Sequence, residues 1–133
     1  MIQHLRIARP VSDISRSATM YCAGLGLRVL SSFENHDGFD GVMLGGLGAH
    51  YHFEFTRCRT HVVTPTPTTE DLFVLYIPDQ DDWNQACRNM IEAGFIHVTS
   101  SNPYWESKGR TFEDADGYRT ILEHSAWTVE GAV

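Results

Sequence analysis

The chain has 133 residues, of which 42% are hydrophobic and 20% are charged. A chain of this size and composition can bury a hydrophobic core without disulfide bonds. The formal net charge is −7 at pH 7. The surface therefore lacks the excess of cations that neutralises nucleic acid or an anionic membrane, and we expect neither as a partner.

The sequence also bears on compartment and on the use of cysteine. No apolar run approaches the roughly 20 residues that a membrane-spanning helix needs, and the first residues do not form a basic segment followed by an apolar one. We therefore expect a soluble, cytoplasmic protein. The cysteines Cys22, Cys58 and Cys87 form no CxxC pair, and we expect small packing residues rather than disulfide partners or zinc ligands.

The first half of the chain predicts one strand, one helix and three more strands. Residues from Ile2 to Ala8 alternate as in a strand, and this alternation puts His4 and Arg6 on the same face. Pro10 ends the strand. A helix follows, capped by Ser12 or Asp13 and ended by Gly24 and Gly26, and then strands at Arg28–Glu34, Gly41–Leu44 and Ala49–Thr56.

The second half repeats this order after a linker. Between Cys58 and Glu70 the chain is rich in Thr and Pro, which predicts an extended connection. The elements predicted after it are a strand at Asp71–Ile77, a helix between Asp79 and Gly94, a strand at Phe95–Ser100 and a hairpin at Gly109–Glu123 that turns at Asp116–Gly117.

The two halves match in the order of their elements and in their helix caps. Val11-Ser12-Asp13 ahead of the first helix corresponds to Ile77-Pro78-Asp79 ahead of the second, and Glu54 corresponds to Glu123. We predict an α+β fold in which two βαβββ repeats form a curved mixed sheet, with helices on its convex side and an open cleft on its concave side. The chain would be a single domain made of repeat 1 (2–57), the linker (58–70), repeat 2 (71–127) and a C-terminal tail (128–133).

Two motifs at the predicted separation resemble those of a known superfamily. Val11–Tyr21, followed by Gly24–Leu27, is similar to its opening motif, and Phe112–Arg119 is similar to its closing motif, with Ala115 where proline is usual. The chain thus resembles the glyoxalase, bleomycin-resistance and extradiol-dioxygenase superfamily, also called the vicinal oxygen chelate (VOC) superfamily. The resemblance covers nearly the whole chain and implies the fold more strongly than any one activity.

For the metalloenzymes of this superfamily, the resemblance implies metal ligands on the cleft face of the first and last strands of each half. The corresponding positions here are Arg6, Glu54, Leu72 and either Ile121 or Glu123. Counting from the closing motif favours Ile121, whereas the correspondence between the halves favours Glu123. Arginine has no lone pair for a metal and leucine has no donor atom, so we expect the usual four-ligand site to be broken.

Alternation predicts a mixed polar lining for the cleft, with three explanations open. In the first, the Arg6 guanidinium takes the place of the metal cation and pairs with Glu54, Glu123 or both. In the second, a relocated divalent-metal site is built from His4, His52, Glu54 and Glu123. In the third, these side chains only line a wet surface. The residues predicted on this face are His4, Arg6, His52, Glu54, Ile121 and Glu123.

Aromatic residues follow Asn102-Pro103 in the second half. Tyr104 and Trp105 could stand over the mouth of the cleft and contact a flat or apolar ligand. Alternatively, Trp105 could pack against Phe112. We expect Trp127 to be a packing residue.

These observations leave three functions open. The preferred one is a metal-independent protein that binds a small molecule in the cleft, like the antibiotic-sequestering branch of the superfamily, and the resemblance implies a homodimer. The second is a divalent-metal-dependent lyase, transferase or dioxygenase, with Glu54 or Glu123 as the catalytic candidate, acting as ligand and base. The third is a dimerisation module without a small ligand.

Overall fold

The structure is a computed structural model, and it describes residues 1–131. The chain folds as two compact units: unit 1 is Met1–Thr66, and unit 2 begins at Pro67. The boundary falls inside the predicted linker, 58–70, whereas the single domain stays a prediction. The last two residues of the predicted tail, 128–133, lie outside the described residues. Among residues 1–131, no helix is both long and apolar enough to cross a membrane.

Unit 1 is a four-stranded mixed sheet with one helix. Its elements are β1 (Leu5–Pro10), α1 (Ile14–Leu25), β2 (Arg28–His36), β3 (Phe39–Gly45) and β4 (Tyr51–Cys58). The strand order is β1-β4-β3-β2, in which only the β1–β4 pair is parallel. Asp13 caps α1 by accepting a hydrogen bond from the Arg16 amide at 3.0 Å, and Gly26 ends it with a φ of 67°.

Unit 2 repeats this topology. Its elements are β5 (Leu72–Tyr76), α2 (Gln80–Glu92), β6 (Ile96–Val98), a 3-10 helix (Pro103–Glu106), β7 (Gly109–Glu113) and β8 (Arg119–Glu123). The strand order is β5-β8-β7-β6, in which only the β5–β8 pair is parallel. Asp79 caps α2 through the Asp82 amide at 2.9 Å. The α+β class and the two βαβββ repeats are therefore confirmed.

The β7–β8 hairpin is confirmed, although its turn is longer than a two-residue Asp-Gly turn. The strands stop at Glu113 and Arg119, and the Asp114 carboxylate organises the connection by accepting from the Tyr118 amide at 2.9 Å. Gly117 has the expected positive φ, 90°. A side-chain acceptor thus supplies bonds that a tighter turn would have made through its backbone.

Each helix covers one face of its own sheet. In unit 1, Tyr21 of α1 is fully buried and meets Phe55 of β4 edge-on, with ring centroids 4.8 Å apart. In unit 2, Met90 of α2 is fully buried, and Cys87 beside it is nearly so. Because successive strand residues point to opposite faces, the strand residues that alternate with the core residues point away from the helix.

Several predicted strand boundaries were wrong by one to three residues, and two of these differences affect the site and the linker. The first strand begins at Leu5 rather than Ile2, since β1 pairs only with β4 and that pairing starts at Leu5 opposite Tyr51. β4 extends to Cys58, which pairs with Phe39, so this cysteine belongs to the sheet rather than to the linker. Both boundaries are set by neighbouring strands whose residues are distant in sequence.

Candidate functional site

Unit 1 carries a polar cluster on the sheet face opposite α1, made of His4, Arg6, His52 and Glu54. Arg6 lies beside His52 in the parallel β1–β4 register. His52 and Glu54 alternate with the buried Phe53 and Phe55, and this alternation puts them on the face that points away from α1.

Hydrogen bonds join the polar cluster into one chain. Arg6 Nε donates to His52 Nε2 at 2.9 Å, and Arg6 Nη1 pairs with Glu54 Oε2 at 3.3 Å. His52 Nδ1 lies 2.6 Å from His4 Nε2. Because His52 Nε2 accepts from the guanidinium, its Nδ1 carries the proton and donates to His4.

The electrostatics agree with this assignment. Burial lowers the pKa of His52, and the charge of Arg6 and the neighbouring His4 lower it further, against an opposing effect of Glu54. Glu54 is only 8% exposed, so its carboxylate depends on the guanidinium for compensation. The predicted pairing of Arg6 with Glu54 is present in the structure.

The residues present do not fit the metal site that the resemblance implies. Arg6 stands at one ligand position and engages acceptor atoms of Glu54 and His52 that a metal would need. Leu72, at another position, lies beside Arg119 in the sheet of unit 2 and has no donor atom. Within residues 1–131, no group of three or more His, Cys, Asp or Glu side chains is arranged to hold a metal ion.

Unit 2 contains a cavity of about 780 Å³. Tyr104 and Trp105 reach it from the 3-10 helix, where they meet edge-on with ring centroids 4.8 Å apart. A volume of this size can hold a drug-sized ligand. The described residues that line it are Tyr76, Asn102, Tyr104, Trp105, Ser107, Lys108, Glu123, Ser125, Ala126, Trp127 and Gly131.

Glu123 is the buried charged residue of the unit 2 cavity. It ends β8 beside Tyr76 of β5, is only 4% exposed, and its Oε1 has no hydrogen-bond partner within residues 1–131. Burial raises the pKa of this carboxyl, and Lys108 lowers it by a smaller amount. Burial and the neighbouring Glu123 and Tyr104 in turn raise the pKa of Tyr76. Buried acceptors are normally paired, so Glu123 brings an uncompensated carboxyl group to the border of the cavity.

The other predicted residues of unit 2 divide between cavity and core. Ile121 shares a face with Glu123, since both approach Gly109, but it is fully buried and does not line the cavity. Leu72 is also absent from the lining. Trp105 meets Tyr104, and Trp127, expected as a packing residue, is 56% exposed and borders the cavity instead.

Sequence reasoning missed several residues of these two sites, among them Tyr76, Lys108 and Trp127 in unit 2 and Met43 in unit 1. Tyr76 could have been found, because the parallel pairing of the first and last strands of a repeat places it beside Glu123. Lys108 and Trp127 come from loops, for which periodicity carries no signal. In unit 1, Met43 lies opposite Glu54 in the β3–β4 pair. This pairing brings its Sδ to 3.8 Å from Arg6 Nη2.

Comparison with known proteins agrees with the division into two repeats. Two family models match the chain, the YycE-like N-terminal domain over residues 5–56 and the YycE-like C-terminal domain over residues 70–124. The uncharacterized protein YycE of Bacillus subtilis is 36% identical over 121 residues, which cover 91% of this chain and 87% of that protein. The chain belongs to the YycE-like family.

Solved structures extend the comparison. The crystal structure of a YycE protein of unknown function from Bacillus subtilis matches with a TM-score of 0.88 and 34% identity, covering 98% of this chain and 95% of that one. This YycE-like chain also resembles the trypanothione-dependent glyoxalase I of Leishmania major, with a TM-score of 0.70, 18% identity and coverage of 94% and 86%.

A third match is TnmS3, an antibiotic binding protein from Streptomyces sp. CB03234, with a TM-score of 0.63, 19% identity and coverage of 92% and 93%. Identities this low show the shared fold alone. Together with the YycE-like match, they confirm membership of the VOC superfamily.

Proposed function

We propose that this protein binds a small molecule in the unit 2 cavity and does so without the four-ligand catalytic metal of VOC enzymes. The observation that carries the proposal is Glu123, a buried carboxyl whose Oε1 has no partner within residues 1–131 and which borders a cavity of about 780 Å³. Small-molecule binding sites typically combine a few polar groups with aromatic side chains, and the lining of this cavity has that composition. TnmS3, an antibiotic binding protein on the same fold, supports it as a precedent.

The polar cluster of unit 1 supports the metal-independent part of the proposal. The guanidinium of Arg6 supplies a positive charge beside Glu54, so this carboxylate is compensated without a divalent ion. The chain His4–His52–Arg6–Glu54 would then be a structural network of the sheet face rather than a catalytic centre.

Isothermal titration calorimetry of the full chain against cationic glycopeptides and small aromatic metabolites tests the binding proposal. We expect stoichiometric binding of at least one class, with unchanged ligand recovered afterwards. Trp105→Ala, which removes a cavity wall, should weaken binding by tenfold or more, about 1.4 kcal/mol. Trp83→Phe is the matched control, since the Trp83 indole donates to the Leu122 carbonyl and does not line the cavity.

A metal-dependent enzyme of the glyoxalase type is the second candidate. It is favoured by the fold shared with glyoxalase I and by the buried carboxylates of Glu54 and Glu123, which suit a ligand or a base. Elemental analysis of protein purified with and without added Zn, Ni, Mn or Fe separates the candidates. Stoichiometric metal, together with a thermal shift that Arg6→Met leaves unchanged, would favour the enzyme and count against our proposal.

We also propose a homodimer, as the superfamily resemblance implies. β2 is an edge strand of the unit 1 sheet and exposes Val29, at 57%, and Leu30, at 39%. Light scattering of the full chain should give twice the monomer mass, and Val29→Lys should reduce it. A monomer that still binds ligand would remove the dimer from the proposal but leave binding intact. A dimer without any ligand would favour a dimerisation module.

A further inference from the structure

We propose that the unit 2 cavity selects organic cations, holding an ammonium group at Glu123 and a flat apolar body against the aromatic rings that line the cavity. The inference rests on the proposed function, because it names the class of ligand that the cavity would bind. It follows from the burial of Glu123, from the aromatic lining and from the absence of any other metal-ligand side chain among the described residues that line the cavity.

Glu123 is 4% exposed, whereas Lys108, which also borders the cavity, is exposed. An exposed lysine at the rim is hydrated and screened, but a buried carboxylate acts through a medium of low dielectric constant. An organic cation that reaches Glu123 therefore compensates a buried carboxyl group whose Oε1 has no hydrogen-bond partner within residues 1–131.

Tyr76, Tyr104, Trp105 and Trp127 are all among the lining residues. Aromatic faces attract cations, and their area suits the apolar body of an amine. Tyr76 lies near enough to Glu123 for the carboxylate to raise the pKa of its phenol, so charge and ring act on the same part of the cavity.

The lining of the cavity suits an organic cation better than a metal ion. Among the described residues that line the cavity, Glu123 is the sole His, Cys, Asp or Glu. One carboxylate cannot complete the coordination shell of a divalent metal. An ammonium group needs only one charged acceptor and can remain partly covered by aromatic rings.

The test uses three probes with the same ring: phenethylamine, 2-phenylethanol and phenylacetate. Calorimetry or ligand-observed NMR on the full chain at pH 7.5 should show phenethylamine binding at least tenfold more tightly than 2-phenylethanol, with phenylacetate weakest. Glu123→Gln keeps the shape of the side chain and removes its charge. We expect it to abolish the preference for the amine while 2-phenylethanol still binds.

Two further variants remove charges at other positions. Glu92→Gln removes an exposed carboxylate from α2, on the covered side of the sheet, and should leave the preference unchanged. Lys108→Gln removes the positive charge at the rim and should increase affinity for phenethylamine by severalfold. Circular dichroism confirms that each variant is folded before binding is compared.

The outcomes distinguish this inference from the proposed function. Equal binding of amine and alcohol, a preference that survives in Glu123→Gln, or tightest binding of phenylacetate would overturn the cation inference and leave small-molecule binding standing. Failure of all three probes and of the wider ligand panel would overturn both. The expected pattern in wild type, lost only in Glu123→Gln, would support both.

Discussion

Gly109 lies directly opposite Glu123 in the β7–β8 pair, and the space that a side chain at 109 would take is already filled. A Cβ there would come within 2.5 Å of the Trp105 carbonyl oxygen and 2.9 Å of Glu123 Oε1. Glycine at this position therefore lets the 3-10 helix and the cavity carboxylate approach the same strand.

Gly109→Ala should destabilise unit 2 by about 1–3 kcal/mol, because the Trp105 backbone must move to admit the methyl group. Urea denaturation measures the free energy of unfolding, and titration of the cavity ligand reports on the displaced aromatic residue. Gly46→Ala is the control, since nothing lies within 4 Å of a Cβ there. Equal stability of the two variants would show that the strand and the 3-10 helix separate freely.

Glu123→Gln should be more stable than wild type at neutral and alkaline pH. The folded pKa of Glu123 is raised, so the folded state holds the proton longer than the unfolded state, and stability falls as pH rises from the unfolded pKa, about 4.5, through the folded pKa. The gain from Gln is on the order of 1 kcal/mol at pH 8 and disappears in acid. Thermal denaturation of both proteins as a function of pH measures it. A pH-independent difference would contradict the assignment.

Arg6→Met should leave Glu54 buried without its cation and destabilise unit 1 by about 1–2 kcal/mol. The range is kept low because the guanidinium is partly exposed and its charge is screened by solvent. Glu54→Gln alone and the double variant complete a thermodynamic cycle. We expect the double variant to recover part of the loss, because no unpaired charge then remains. Strict additivity of the two single changes would mean that the ion pair contributes nothing.

The pKa of His52 should rise when Arg6 is replaced by Met, since the guanidinium is one of the causes that lower it. In wild type, a lowered folded pKa means that His52 contributes stability above its unfolded pKa, about 6.5, and loses it as pH falls through the folded pKa. NMR titration of the carbon-bound imidazole protons measures the pKa of His52 in both proteins.

Cys58 should react with iodoacetamide before Cys87, although both thiols are nearly buried. A hydrogen bond from the Thr60 side chain, together with the backbone at His61, lowers the pKa of Cys58, whereas burial raises the pKa of Cys87. A thiolate is the reactive form, so we expect a rate difference of roughly tenfold at pH 7.5. Peptide mass spectrometry follows both sites. Thr60→Val should slow labelling at Cys58 only, and equal rates in wild type would refute the assignment.

Local chemistry made most of the fold predictable. Asp13 and Asp79 are N-caps that act within one turn, Gly26 and Gly117 adopt positive φ, and strand alternation operates over neighbouring residues. These signals need no distant partner, and they led to two βαβββ repeats and to the VOC superfamily. The same alternation put Arg6 and Glu54 on one face of the sheet, where their pairing was one of the explanations left open.

The sequence by itself determined the order of elements, the helix ends and the presence of an arginine and a leucine at two implied ligand positions. Only the tertiary structure decided where β1 begins, which residue of β8 borders the cavity and which loop residues join it. The start of β1 depends on its register with β4, and the cavity joins Glu123 to Lys108 and Trp127 from loops. Such contacts arise from packing between segments distant along the chain, for which hydrophobic period and capping residues carry no information.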